Sequence, residues 1–145
     1  MGIFNRRLYE IGGIMKEIYD FLRRCGCFFL ATEEGDQPRV RPFGVVEIYE
    51  DKIYFLTGKK KNVAKQIEKN PKVEICAAAQ GEVWIRLEGE LKADERVEAK
   101  KFFLDRNPQL RGMYNENDDN TLLLYMEHGK ATISSFVNAP KEIRF

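Results

Sequence analysis

The segment from Thr57 to Asn62 holds the residues best suited to binding an anion. It reads Thr-Gly-Lys-Lys-Lys-Asn, so a hydroxyl, a glycine and three ammonium groups precede a predicted helix over 62–69. A helix N-terminus presents unpaired N–H groups and the positive end of the helix dipole, which favours a phosphate. The P-loop pattern Gly-x4-Gly-Lys-Ser/Thr is absent. Both phosphate binding and an ordinary exposed, charged turn therefore stay open.

A second candidate segment runs from Arg39 to Gly44 and reads Arg-Val-Arg-Pro-Phe-Gly. Because side chains alternate along a strand, Arg39 and Arg41 share one face. Two guanidinium groups beside an irregular Pro-Phe-Gly sequence could hold a planar, anionic ligand. The alternative is that both arginines pair with Glu47 or Glu88 on neighbouring strands.

A third segment, 83–90, contains the only tryptophan of the chain. Trp84 and Arg86 share one face of this predicted strand, since they are two residues apart. A single tryptophan is more typical of a core or an interface than of a cofactor contact.

Residues for acid–base, nucleophilic or metal chemistry are sparse. The one histidine, His128, lies in a predicted turn, and no Gly-x-Ser-x-Gly sequence is present. The chain has three cysteines, Cys25, Cys27 and Cys76. They lack the ligand spacing of a zinc site, and we interpret them as small apolar residues. We therefore predict no metal, leave catalytic residues unassigned, and expect either a cofactor or no chemistry at all.

Composition limits the classes of partner. The chain has 145 residues, enough for one domain, with 24 Lys and Arg against 23 Asp and Glu. A net charge of +1 gives no general attraction to nucleic acid or anionic lipid. No apolar run approaches the ~20 residues that span a bilayer, and the cysteine usage favours the cytoplasm.

The hydrophobic pattern predicts where these segments lie in the fold. Residues 1–13 are interpreted as a tail, and 14–145 as one domain that begins with an amphipathic helix ending at Gly26. Further helices are predicted over 62–69 and 94–107. The predicted strands cover 27–32, 38–49 (interrupted near Pro42 and Gly44), 52–57, 73–79, 83–92, 121–127 and 131–137, the last two joined by a turn at 128–130. Tight turns between successive strands favour a small antiparallel barrel with helices outside it.

The three segments together resemble one family. The stretches 29–44, 54–62, 66–67, 70–73 and 84–89 are similar, in order and spacing, to the pyridoxamine 5'-phosphate oxidase-like, FMN-binding split-barrel superfamily. The resemblance extends from Met15 to the C-terminus and is strongest to the Nim-like and general stress protein branch.

The resemblance implies a mainly β (α+β) fold, a six-stranded antiparallel split barrel with flanking helices. It also implies a homodimer with FMN at the subunit interface. Four residues would line the isoalloxazine ring: Arg39, Val40, Arg41 and Pro42.

The remaining site residues implied by the resemblance surround the rest of the cofactor. Thr57 would contact the ribityl chain or the phosphate. The phosphate would be held by Lys60, Lys61 and Asn62. Two further residues would lie near the cofactor or the interface: Trp84 and Arg86.

The implied function is an FMN-dependent oxidoreductase that reduces a small acceptor such as a nitroaromatic or a quinone. The C-terminal sequence 138–145 lacks the arginine-rich segment of the true oxidase, so oxidation of pyridoxamine phosphate is not expected. Two alternatives stay open: a non-enzymatic flavin-binding or stress-response module, and a barrel that takes another planar cofactor such as a deazaflavin or haem.

Overall fold

The computed structural model of the chain describes residues 2–145, with side chains from residue 13 onward. Three α-helices and one short 3-10 helix are present in this part: α1 (Gly2–Cys25), α2 (Asn62–Lys69), α3 (Val97–Arg106) and the 3-10 helix Pro108–Gly112. The strands are β1 (Phe28–Glu34), β2 (Gln37–Phe43), β3 (Glu47–Tyr49), β4 (Lys52–Gly58), β5 (Lys72–Ala79), β6 (Val83–Ala93), β7 (Thr121–Ser135) and β8 (Lys141–Arg144).

All strands of the described chain join one antiparallel sheet. The order is β2-β1-β5-β6-β7-β4-β3, and β8 pairs with β7. The predicted α+β, mainly antiparallel class is confirmed, but the sheet is open and has eight strands rather than six. Of the seven strands predicted from the sequence, that over 38–49 divides into β2 and β3: Pro42 lacks a ladder N–H group, and residues 44–46 form no strand pairs. The last two predicted strands are one strand, β7, and β8 was not predicted.

The predicted turn at 128–130 is wrong, because β7 continues through it. A bulge accommodates the irregularity, since the β6–β7 register shifts between Glu88 and Glu90. Gly129 exchanges two backbone hydrogen bonds of 3.0 Å with Phe145. A Cβ at Gly129 would overlap the ring of Phe145. Glycine thus allows an aromatic ring to lie close to the strand at this position; it does not mark a turn.

The core lies between the sheet and helices α1 and α2. The predicted apolar face of α1 is buried through Met15, Ile18, Phe21 and Leu22. The backbone of α1 extends back to Gly2; the predicted division into a tail over 1–13 and a domain over 14–145 stays a prediction, because the side chains of residues 1–12 lie outside the described part. None of the described helices is long and apolar enough to cross a membrane.

Candidate cofactor-binding cavity

A cavity of about 810 Å³ lies between β2, the end of β4 and the N-terminus of α2. Its polar wall carries three basic groups, one acidic group and several neutral ones: Glu34, Arg39, Arg41, Thr57, Lys61, Asn62 and Gln66. Apolar side chains complete it, among them Val40, Leu56 and, from the 3-10 helix region, Leu110, Met113 and Tyr114. The volume is in the range of about 300–1,000 Å³ that is typical of ligand and cofactor sites.

Most of the predicted site residues meet at this cavity. Those that line it are Arg39, Val40, Arg41, Pro42, Thr57, Lys61 and Asn62. Lys60 lies in the same turn but is exposed and does not line the cavity. Trp84 packs on Phe136 at a ring distance of 5.1 Å, and Arg86 is exposed on β6, both away from the cavity. The roles assigned to these residues stay predictions.

Arg41 is a half-buried cation with only neutral hydrogen-bond acceptors. Its guanidinium donates to the carbonyl oxygen of Leu30 at 3.1 Å, to Thr32 Oγ1 at 2.7 Å and to Gln66 Oε1 at 2.7 Å. Within the described side chains, no carboxylate lies within 4.0 Å of it. Burial, and secondarily the neighbouring Arg39, lower the pKa of Arg41. An anion in the cavity would supply the negative charge that this guanidinium lacks.

Arg39 is compensated within the protein. Its Nη2 donates to Glu34 Oε1 at 3.0 Å, and Glu34 Oε2 accepts a second hydrogen bond from Gln66 Nε2 at 3.0 Å. Both hydrogen bonds lower the pKa of Glu34, and the bond from Gln66 has the larger effect. Gln66 therefore connects the two arginines, since its amide donates to the partner of Arg39 and its carbonyl accepts from Arg41.

The alternative that the arginines of β2 pair with Glu47 or Glu88 is wrong, although Arg39 does pair with a carboxylate on the neighbouring strand, Glu34 of β1. Glu47 accepts from Arg106 Nε at 2.8 Å, and Glu88 pairs with Lys130 at 3.3 Å. Both carboxylates are thus occupied elsewhere, and Arg39 and Arg41 both line the cavity.

Thr57, one of the residues that line the cavity, has a buried hydroxyl. The residue is 1% exposed, and its Oγ1 has no hydrogen-bond partner among the residues that the structure describes. Leaving a buried polar group unsatisfied costs about 1–3 kcal/mol, and such groups are rare in native proteins. Because Thr57 belongs to the residues that line the cavity, a polar ligand atom that reached this hydroxyl would supply the missing partner.

The N-terminus of α2 opens onto the same cavity. Lys61 is its extended N-cap, with φ −77° and ψ 152°, and its N–H donates to the carbonyl of Gly58 at 3.1 Å. The N–H groups of Asn62 and Val63 have no hydrogen-bond partner within the described chain. No described carboxylate pairs with the ammonium group of Lys61. This end of the helix therefore combines free backbone donors with a positive charge, as a phosphate site requires.

Several lining residues were not predicted from the sequence. Gln66 follows Asn62 by four residues, so their shared helix face was a usable signal. Leu110, Met113 and Tyr114 are about fifty residues from the turn. They reach the cavity only through tertiary packing, so no local pattern indicates them.

The histidine and the cysteines lie elsewhere. The imidazole of His128 is 73% exposed, and its Nε2 is 3.7 Å from Glu90 Oε2. Cys25, Cys27 and Cys76 are unpaired. From residue 13 onward, no three His, Cys, Asp or Glu side chains are arranged to hold a metal ion.

The sequence matches a family model described as pyridoxamine 5'-phosphate oxidase over residues 14–144. A solved structure of a NimC/NimA family protein from Clostridium acetobutylicum is 42% identical, with a TM-score of 0.89 and full coverage of both chains. No curated protein gives a significant sequence match.

More distant structures share the fold. General Stress Protein 26 from Bacillus anthracis is 21% identical, with a TM-score of 0.70 over 90% of this chain and 97% of that one. A heme binding protein from Mycobacterium smegmatis is 10% identical, with a TM-score of 0.69 over 90% of this chain and 57% of that one.

Proposed function

Because the chain belongs to the pyridoxamine 5'-phosphate oxidase family, we propose that it binds FMN in the cavity beside α2 and uses it to reduce a small acceptor such as a nitroaromatic or a quinone. The resemblance inferred from the sequence, to this superfamily and its Nim-like and general stress protein branch, is confirmed. FMN itself and the reductase activity are the proposal.

The buried, unpaired hydroxyl of Thr57 is the observation that carries it. A polar ligand atom would satisfy this group, and Thr57 lines the same cavity as a helix N-terminus and a half-buried guanidinium. In the proposal, Lys61 and the free N–H groups of Asn62 and Val63 hold the phosphate. Thr57 donates to the ribityl chain or the phosphate, and Arg41 supplies positive charge to the bound ring.

When bound, FMN supplies the redox chemistry, which no cluster of side chains in the cavity offers. The chain's own contribution is electrostatic and steric. Arg41 stabilises negative charge on a reduced ring, because its cation has no carboxylate partner among the described residues. Leu110 and Met113 form an apolar wall that favours a small, flat acceptor.

A homodimer with the cofactor at its interface is part of the proposal. Val40 and Met113 line the cavity and yet are 67% and 66% exposed. Large exposed apolar side chains at the rim of a ligand site are typical of a surface that a second subunit covers. Unpaired Cys25, Cys27 and Cys76 fit the reducing conditions of the cytoplasm, where we place the protein.

The deciding experiment is the absorbance spectrum of the purified chain before and after addition of FMN, followed by gel filtration. We expect a flavin band that travels with a dimer-sized peak. A colourless protein that does not retain FMN would contradict the proposal. A haem or deazaflavin spectrum would show that the cofactor is that compound and not FMN. Turnover with NAD(P)H and a nitroaromatic or quinone then separates a reductase from a non-enzymatic flavin carrier.

The phosphate site is tested by Lys61→Glu. A negative charge beside the N-terminus of α2 should weaken FMN binding at least about tenfold, since it repels the phosphate. Flavin fluorescence quenching gives the affinity. The control is Lys16→Glu, the same charge change on the exposed surface of α1, where Lys16 pairs with Asp20. Equal FMN affinities of the two variants would contradict the placement of the phosphate at this site.

A further inference from the structure

Three lysines form a row along the exposed side of α2. Lys61, Lys65 and Lys69 follow one another at intervals of four residues and are all exposed, so they share one face of the helix. Since an α-helix rises about 1.5 Å per residue, the two ends of the row are ~12 Å apart along the axis. The row therefore extends well beyond the N-terminus of the helix, where the proposed function places the phosphate of FMN.

The ammonium groups of this row are not neutralised by the part of the chain that the structure describes. No described carboxylate lies within 4.0 Å of any of them, and Glu68, the acidic residue of α2, pairs with none. Lysines of the other helices have such partners four residues away: Lys16 pairs with Asp20, and Lys101 pairs with Asp105. Like charges at this spacing destabilise a helix, and the first lysine also lies at the positive end of the helix dipole. A bound anion would remove this repulsion.

A second cavity adjoins the row and the cofactor cavity. Its volume is about 470 Å³, and it lies between the β1–β2 hairpin and α2. Lys65 and Lys69 line this second cavity and do not line the first. Three residues line both cavities: Glu34, Asn62 and Gln66. The two cavities are therefore neighbours, and a long ligand can occupy both.

The walls of the two cavities together carry an excess of positive charge. The cations that line them are Arg39, Arg41, Lys61, Lys65 and Lys69. The carboxylates are Glu33 and Glu34, and Glu34 is already paired with Arg39 at 3.0 Å. Five cations against two carboxylates leave three positive charges, and one phosphate supplies about −1.5 to −2 near pH 7. The remaining charge, at the far end of the row, favours a further anionic group.

We propose that Lys65 and Lys69 bind the phosphate groups at the adenosine end of a nicotinamide dinucleotide, and that they thereby select NADPH over NADH. Both donors carry a pyrophosphate, but only NADPH has a phosphate on the 2' oxygen of its adenosine ribose. Lysines bind such groups as mobile point charges. The adenosine end lies in the second cavity, while the nicotinamide reaches the flavin in the first. In the overall reaction NADPH and one solvent proton reduce the flavin, and NADP⁺ leaves. The donor role rests on the proposed function; the phosphate site on α2 does not.

Calorimetric titration of the full chain with adenosine 2',5'-bisphosphate tests the site without flavin chemistry. We expect saturable binding of one molecule per chain, with and without FMN. Adenosine 5'-monophosphate lacks the 2'-phosphate and should bind at least about tenfold more weakly. Equal affinities of the two nucleotides, or no saturable binding of the bisphosphate, would overturn the inference. If the bisphosphate binds and FMN does not, the phosphate site stands and the flavin proposal fails.

Lys69→Glu locates the site, because Lys69 lines the second cavity and not the cofactor cavity. Affinity for the bisphosphate should fall at least about tenfold, whereas Lys69→Arg should retain it. Lys16→Glu, the same change on exposed α1, is the matched control and should leave this affinity unchanged. Thermal unfolding checks that the variants fold, and Lys69→Gln, which removes the charge without reversing it, decides if Lys69→Glu does not. Equal affinities of the Lys69 and Lys16 variants would overturn the site.

Steady-state turnover of the FMN-loaded protein tests the choice of donor. We expect kcat/KM to be at least about tenfold higher with NADPH than with NADH, mainly through a lower KM, because the 2'-phosphate contributes to binding. In Lys69→Gln this preference should fall below about threefold. Equal kcat/KM for the two donors in the wild type, or an unchanged preference in Lys69→Gln, would overturn the assignment of NADPH.

Discussion

Two polar clusters in this chain hold charged groups in opposite ways. In the first, Asp94 Oδ2 accepts from Tyr54 Oη at 2.8 Å and from Arg96 Nη2 at 2.9 Å. Its Oδ1 accepts from the backbone N–H and from Nε of Arg96, which also pairs with Glu50. The hydrogen bonds from Arg96 lower the pKa of Asp94 to about 2. The pKa of Tyr54 is raised, first by burial and then by its hydrogen bond to Asp94.

In the cavity cluster, the charges and the hydroxyl are left incomplete. Arg41 has neutral acceptors only, and Thr57 Oγ1 and the ammonium group of Lys61 have no partner in the described part of the chain. A network whose groups are all paired contributes to folding, whereas a network with unpaired groups leaves them free to bind a ligand. Variants in the first cluster should therefore alter stability, and variants in the second should alter binding.

The largest expected effect is that of Asp94→Asn. We predict a loss of about 2 kcal/mol in the free energy of unfolding at pH 7, because the neutral amide gives up the charge-assisted bonds to Arg96. FMN affinity of the folded protein should not change, since Asp94 does not line the cavity. Urea unfolding and flavin titration measure the two quantities, and Asp51→Asn on an exposed turn is the control.

The same variant has a signature in its pH dependence. A carboxyl whose folded pKa is about 2 and whose unfolded pKa is near 3.8 stabilises the fold above the unfolded value. That contribution is lost as the pH falls from about 5 towards about 2. The difference between the wild type and Asp94→Asn should therefore shrink over this range. A difference that stays constant with pH would show that the carboxylate charge is not its source.

Arg41→Gln should have the next largest effect, on binding. We predict that FMN affinity falls about twentyfold, because the cavity loses the one guanidinium that no protein carboxylate compensates within the described chain. Flavin fluorescence quenching measures this. Arg39→Gln is the matched control: Glu34 already neutralises Arg39, so the loss should stay below about threefold. Equal losses in the two variants would mean that pairing within the protein does not decide which arginine serves the ligand.

Local patterns predicted the elements that position the cavity. The helix α2 over 62–69 followed from its apolar spacing and from the Asn-Pro sequence that ends it. The shared face of Arg39 and Arg41 followed from strand alternation, and both line the cavity. These features depend on a few consecutive residues, so they could be predicted from the sequence.

Other features depend on residues far apart in the chain. Gly129 resembles a turn residue, but Phe145 occupies the space beside it, and only the fold brings the two together. The partners of Arg39 were not predictable either: Glu34 pairs with it, whereas the proposed Glu47 is bonded to Arg106. Which carboxylate reaches an arginine depends on side-chain direction and competition, and strand spacing gives neither.

The smallest effects, of opposite sign in stability and binding, are expected for Thr57→Val. Valine has nearly the shape of threonine without the unpaired hydroxyl, so the cofactor-free protein should gain about 1 kcal/mol in urea unfolding. FMN affinity should fall about fivefold, because the ligand loses one hydrogen bond. Thr57→Ser is the control, which keeps the hydroxyl and should keep the affinity. If Thr57→Val instead destabilises the cofactor-free protein, the hydroxyl is already satisfied there, and the difference between the closed and open clusters no longer rests on Thr57.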